Sequence, residues 1–178
     1  IHLEYNFGAF AEFLTIPASI VRGNTFEIPP HISYEQAAVL EPLVTVVHGW
    51  HKIGIQPGET VALLGAGGPI SLMYLQLALR SGASQVIAIG HSPTRLAVAG
   101  ELGAAHLLNA RETDPIAAVH ELTGGYGADV VIECAGTKST WENSMEMVRR
   151  GGRVLWFGGL PGGTRVEIDA ARVHYGEI

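Results

Sequence analysis

From Thr60 onward, short runs of apolar and β-branched residues alternate with longer stretches whose apolar positions recur at helical spacing. The strand-like runs are TVALL, QVIAI, HLLN, ADVVIE and RVLWFG, and between them lie PISLMYLQLALRS, PTRLAVAGEL, PIAAVHEL and TWENSMEMVRR. That rhythm predicts βα units around a parallel sheet. The strand runs are apolar at successive positions, as expected where helices cover both faces, so the sheet is predicted to be doubly wound. Ser92-Pro93 and Asp114-Pro115 each place a side-chain oxygen at an N-cap and a proline at the first helical position. Ser139 with Glu142 spells a capping box, and Gly82, Gly103 and Gly151 each follow a helical pattern where a left-handed residue ends the helix.

Residues 1 to 30 read differently. GAFAEFLTI predicts a strand, followed by an irregular segment through Pro29 and Pro30. Ser33 and Gln36 form a capping-box pattern that opens a connecting helix near Tyr34, with a break at Glu41-Pro42 and a continuation toward Ile53. No internal repeat or low-complexity tract interrupts this order.

Composition narrows the classes. A chain of 178 residues suits one domain with a piece of a second. Eleven Lys and Arg against 17 Asp and Glu give a net charge of -6, which offers neither nucleic acid nor an anionic membrane any general attraction. No apolar run reaches the length of a bilayer span. The single cysteine, Cys134, makes no internal disulfide and no Cys cluster, which fits a reducing compartment, with the cytoplasm as the default. Ile1 follows no initiator Met, and both ends read as cuts in a longer protein, with a targeting segment upstream left open.

The chemistry begins after the first strand, where GAGGPIS precedes an apolar helix. Glycine at such a turn lets backbone approach a pyrophosphate, and the free N–H groups and dipole of the helix start stabilise its charge. Gly65, Gly67 and Gly68 are the first candidates, with Pro69, Ile70 and Ser71 at the helix start. The spacing departs from G-x-G-x-x-G, and a plain strand-to-helix turn is the bland alternative. At the end of the second strand, where an NAD site carries an acid, stands Gly90. His91, Ser92 and Arg95 follow, able to hydrogen-bond or pair with a ribose 2′-phosphate, so NADP is favoured over NAD. Ser92 as a plain cap and Arg95 as a plain surface residue remain compatible with the same sequence.

Taken in order, PGETVALLGAGGPISLM, ELGAAHLLNA, GADVVIECAG and GGRVLWFGG resemble the medium-chain dehydrogenase/reductases, specifically the zinc-dependent alcohol and polyol branch with its sorbitol and threonine dehydrogenases. The resemblance covers essentially the whole chain. It implies a Rossmann domain of six strands in the order 3-2-1-4-5-6, with RVEI at 165–168 as the last. It also implies a division of the chain: residues 1–31 as the terminal strand and linker of a GroES-like catalytic domain, 32–170 as the NAD(P)-binding domain, and 171–178 as the return. The implied activity is hydride transfer between a secondary alcohol or polyol and NAD(P), with zinc polarising the alcohol in the full-length parent.

The family's upstream Cys and His-Glu ligands fall outside this chain, so no catalytic residue is assigned and the chain alone is expected to turn over nothing. LEPLVTVVHG matches a segment that carries one metal-site residue, here Glu41. Thr45 matches a threonine near the nicotinamide. Cys134, Ala135, Gly136 and Thr137, then Phe157, Gly158, Gly159 and Leu160, follow the fourth and fifth strands, where open α/β sheets bind ligands. Cys134 is assigned no reactive chemistry. His48 and His51 read as a helix surface. The implied assembly is a homo-oligomer through the last strand. Rival readings are a zinc-free quinone reductase, which Glu41-Pro42 argues against, a nucleotide-binding module without activity, and, remotely, a methyltransferase.

Overall fold

The computed structural model describes residues 9–178. They fall into two compact units that divide between Leu40 and Glu41. In the first unit, Pro17 opens α1 (Ala18–Asn24), its carbonyl accepting from the amides of Ile20 and Val21 at 3.0 and 3.1 Å. This helix lies in the stretch the sequence predicted to be irregular. Ser33 opens α2 (Tyr34–Ala38) as predicted: its hydroxyl accepts from Gln36 N at 3.2 Å, and the Gln36 side chain accepts from Ser33 N at 2.9 Å. The strand expected at GAFAEFLTI is not there in residues 9–16, and Gly8 lies outside the described residues. A strand needs a neighbour for its backbone hydrogen bonds. The described residues provide none for this segment, and Phe10 and Phe13 are fully exposed.

α3 (Leu40–Ile53) starts after Val39, so the helix break falls before Glu41-Pro42 and not at it. Pro42 sits in the first turn, where the N–H it lacks has no intrahelical partner to miss.

The second unit is a doubly wound parallel sheet. Its strands are β1 (Thr60–Leu64), β2 (Gln85–Gly90), β3 (His106–Asn109), β4 (Ala128–Glu133) and β5 (Val148–Trp156). They are joined by α4 (Pro69–Arg80), α5 (Pro93–Glu101), α6 (Pro115–Leu122) and α7 (Lys138–Met147), with α8 (Ala170–Gly176) following β5. The order is β3-β2-β1-β4-β5, all parallel. Two apolar clusters cover the two faces, one around Val61, Leu63, Tyr74 and Ile132, the other around Ala62, Leu64, Ile87 and Val131. Alternate residues of β1 therefore serve opposite cores, which is why the strand is apolar from Val61 to Leu64. Gly49 lets α3 approach α4: a Cβ there would stand 2.0 Å from the Tyr74 hydroxyl.

Three predicted features are corrected. The sixth strand at 165–168 does not form, and the described sheet has five strands with β5 at its edge, because no further strand lies beside these residues to complete their ladder. The cap of α7 is Thr137, not Ser139, with Thr137 and Thr140 exchanging both capping bonds at 3.2 Å. Gly151 does not end a helix. α7 stops at Met147, Val148 already pairs with Ala128, and Gly151 (φ +67°) lies in an irregularity of β5 before pairing resumes at Val130 and Arg153. Gly82 and Gly103 do end helices with positive φ. Asp114 caps α6 through Ile116 N at 2.9 Å, whereas Ser92 takes the N-cap position of α5 without a side-chain capping bond.

Candidate functional site

The carboxyl ends of β1, β2 and β4 open onto a cleft of about 660 Å³. Its floor is the turn after β1. Gly65 and Gly67 have φ of +82° and +96°, conformations that disfavour any side chain. Space forbids one too: a Cβ on Gly65 would lie 2.9 Å from Ala135 N, and one on Gly67 would lie 2.4 Å from Arg95 Cβ. The turn is tied down by Ile89 O, which accepts from Gly65 N at 3.0 Å and Ala66 N at 2.8 Å. The buried Ser71 hydroxyl sits beneath, 3.0 Å from Gly65 O and 2.9 Å from Gly68 O. Gly68 is the N-cap of α4, and the first intrahelical bond runs from Leu72 N to Gly68 O. The amides of Ile70 and Ser71 precede that bond, at the positive end of the helix.

One wall is the end of β2. Gly90 is buried, and a Cβ there would meet Ala66 O at 2.7 Å, so position 90 has no room for the acid of an NAD site. His91, Ser92 and Arg95 line the cleft beside it, and no Asp or Glu does. The opposite wall is the end of β4, with Cys134, Ala135 and the first turns of α7. Burial pushes the Cys134 thiol well above its ordinary range, and the neighbouring Glu133 carboxylate adds to this, which removes it as a nucleophile.

Of the residues singled out from sequence, Gly65, Gly68, Gly90, His91, Ser92, Arg95, Cys134 and Ala135 come together in the cleft. Gly67 and Ser71 shape its floor from behind. Pro69 is exposed at the start of α4, and Ile70 packs on the core. Gly136 abuts the loop after β5, where its Cβ would stand 2.8 Å from Gly159 O. Phe157 packs edge-to-face on Tyr74 with centroids 5.5 Å apart, and Gly158, Gly159 and Leu160 continue that loop outside the cleft lining. Thr45 is exposed on α3, its hydroxyl donating to Pro42 O at 2.8 Å. Thr137, the last of the run expected after the fourth strand, also lines the cleft, and the sequence reading missed Ser139, Thr140 and Asn143, which bring the start of α7 to it. The Thr137/Thr140 spacing was a usable signal, masked by the stronger Ser139/Glu142 pattern two residues later.

The family described as zinc-binding dehydrogenase matches residues 69–178. The chain belongs to this family. Within it, the chain is 34% identical to the sorbitol dehydrogenase of Bacillus subtilis (strain 168) over 96% of its own length and 47% of that protein's. It is 38% identical to an L-threonine 3-dehydrogenase of Bacillus licheniformis, over 83% of the chain and 41% of the relative. Among solved structures, a zinc-binding dehydrogenase from Sinorhizobium meliloti 1021 bound to NADP superposes with a TM-score of 0.81 at 38% identity, covering 85% of this chain and 45% of that one. The alcohol dehydrogenase TADH from Thermus sp. ATN1 superposes with a TM-score of 0.76 at 33% identity, covering 85% and 44%. The chain thus spans just under half the length of these relatives. It is the cofactor-binding part of the medium-chain dehydrogenase/reductase pattern, in the alcohol and polyol branch.

The glycine floor and the acid-free wall suit a dinucleotide. The metal is another matter: among the described residues no three His, Cys, Asp or Glu side chains gather in a way that could hold an ion. Glu41 is exposed in the first turn of α3, and His48 and His51 are exposed farther along the same helix. The described residues therefore supply no set of three zinc ligands by themselves. No helix among them is long and apolar enough to cross a membrane.

Proposed function

We propose that this chain holds NADP, in preference to NAD, for a dehydrogenase that moves hydride between a secondary alcohol or polyol and the cofactor. The observation that carries the preference is the wall at the end of β2, where Ala66 O fills the space above Gly90 and Arg95, Ser92 and His91 line a cleft without carboxylates. A ribose 2′-phosphate placed there meets a guanidinium and no repelling acid. Gly65, Gly67 and Gly68 give the pyrophosphate close backbone approach, and the start of α4 gives it unpaired amides. Ala135 and Gly136 are assigned to the adenine side, and Phe157, Gly158, Gly159, Leu160 and Thr45 to the nicotinamide side. The bound nicotinamide supplies the hydride acceptor, and this chain's residues bind and orient it. Glu41 is assigned to the metal site of the assembled enzyme.

The same reading carries a homodimer through the last strand of the sheet, expected at 165–168 and, with that strand unformed, left to the β5 side, which sedimentation of the purified chain would read. It also carries a cytoplasmic setting, consistent with one cysteine and readable by fractionation. The deciding experiment is a titration of the chain with NADPH and NADH by reduced-nicotinamide fluorescence, with Arg95→Ala alongside. The expectation is NADPH binding tighter by about tenfold or more, a difference of about 1.4 kcal/mol, that collapses in the variant. Equal affinities, or a preference that survives Arg95→Ala, would overturn the NADP assignment.

A further inference from the structure

β4 ends in Glu133, a carboxylate with no exposed surface at the last register position, between Leu64 of β1 and Trp156 of β5. Burying a charge is costly unless hydrogen bonds stabilise it. Its Oε1 accepts from the amides of Ala135 at 2.7 Å and Gly136 at 2.8 Å, closing the turn after β4 onto the side chain that begins it. Its backbone carbonyl accepts from Phe157 N and Gly158 N, both at 2.9 Å, and so holds the start of the loop after β5. Oε2 is buried without a partner, and a Cβ on Gly158 would stand 2.7 Å from it and 2.5 Å from Gly136 N. The two loops therefore touch backbone to backbone around one carboxylate.

Gly158 is held from its other side as well. Trp141 of α7 donates its indole N–H to Gly158 O at 2.8 Å. That indole is itself fixed: it stacks on Trp156 with centroids 4.5 Å apart and planes 4° from parallel. Trp156 donates to Ser144 Oγ at 2.9 Å, and Ser144 donates in turn to Trp141 O at 2.6 Å. One residue of the loop after β5 thus has both its amide and its carbonyl satisfied by groups of β4 and α7.

We infer that Glu133 and Trp141 are positioning residues that make the loops after β4 and β5 one rigid body, fixing the nicotinamide-side loop through Gly158. The inference rests on the dinucleotide reading of the cleft. Trp141→Phe keeps an aromatic ring for the stack and removes only the donor to Gly158 O.

The test measures, in the full chain, amide hydrogen exchange without ligand and the affinities of NADPH and of adenosine 2′,5′-bisphosphate, which carries the adenine half alone. In Trp141→Phe, the amides of Phe157 and Gly158 are expected to exchange about tenfold faster. NADPH is expected to bind about tenfold more weakly, while the bisphosphate keeps its wild-type affinity. Glu133→Ala is expected to release the Ala135 and Gly136 amides, and Glu133→Gln, which keeps an acceptor, to restore their protection. Unchanged exchange at Phe157 and Gly158 overturns the clamp. Faster exchange with both ligands weakened alike, or neither weakened, overturns the positioning role and leaves a structural one. A wild-type chain that binds neither ligand sinks the dinucleotide reading instead, and the exchange data then decide the clamp by themselves.

Discussion

The turn after β1 and the turn after β4 meet at Gly65 and Ala135, and both reach the cleft, yet they are built by opposite means. The first contains no side chain beyond the methyl of Ala66 until Pro69. It turns because Gly65 and Gly67 accept positive φ, and it leaves the amides at the start of α4 unbonded. The second turns because the buried Glu133 carboxylate gathers its amides inward. A phosphate needs free N–H groups and no nearby negative charge, so only the first turn is equipped for one. The second turn has its Ala135 and Gly136 amides satisfied by a side-chain oxygen already in place, and what it can show a ligand is carbonyls and small side chains.

Four changes would break or sharpen this contrast. Gly67→Ala is the most severe, since its methyl meets Arg95 Cβ at 2.4 Å and the Arg95 carbonyl carbon at 2.9 Å at a φ of +96°. A loss of about 2–5 kcal/mol in urea unfolding is expected, and a loss under about 1 kcal/mol would mean that the turn relaxes freely.

Next is Asp129→Asn. Asp129 lies at the other end of β4 from Glu133, bonded to Thr60 N at 2.7 Å and to Arg149 Nε at 2.5 Å. Burial acts to raise its pKa, but the Thr60 amide, Arg149 and Arg153 together outweigh it, so the folded value lies below the ordinary one. A lowered folded pKa stabilises the fold above the unfolded value of about 3.9, and this contribution is lost as pH falls through the folded value. The variant should therefore be about 1–3 kcal/mol less stable at neutral pH, with the gap narrowing as pH drops below about 4. A gap independent of pH would assign Asp129 a packing role only.

Gly68→Ala tests whether the third glycine differs from the first two. Its φ is −80° and the nearest heavy atom to an added Cβ is 3.6 Å away. Stability should change by less than about 1 kcal/mol while NADPH affinity falls, because the methyl occupies cleft surface. The smallest effect is Tyr74→Phe, which changes neither turn's backbone and serves as the control. The Tyr74 hydroxyl is buried without a partner, and burial holds its pKa far up, with Cys134 adding. Removing it should change stability by less than about 1 kcal/mol in either direction, read as a midpoint shift.

How much of this was legible beforehand depended on where each residue's partners lie. TVALL, QVIAI and ADVVIE were readable because both of their faces are buried, and the glycine turn because its conformational demand is local. GAFAEFLTI and RVEI have strand-like composition, but a strand forms only beside another, and composition does not report the neighbour. The cap at Thr137 was displaced by a stronger pattern at Ser139. Glu133 was passed over as the end of ADVVIE. A lone acid closing an apolar strand is a signal, yet its meaning rests on Gly158 and Trp141, which approach it only through the sheet register and the packing of α7.

Arg95 stands against Gly67 with its Cβ and backbone carbonyl, and it is also one of the residues that line the cleft. On the proposed reading, one residue thus serves both the support of the glycine turn and the choice of coenzyme. A replacement that keeps a Cβ keeps the support, so on that reading coenzyme preference can change at this position without the turn having to be rebuilt.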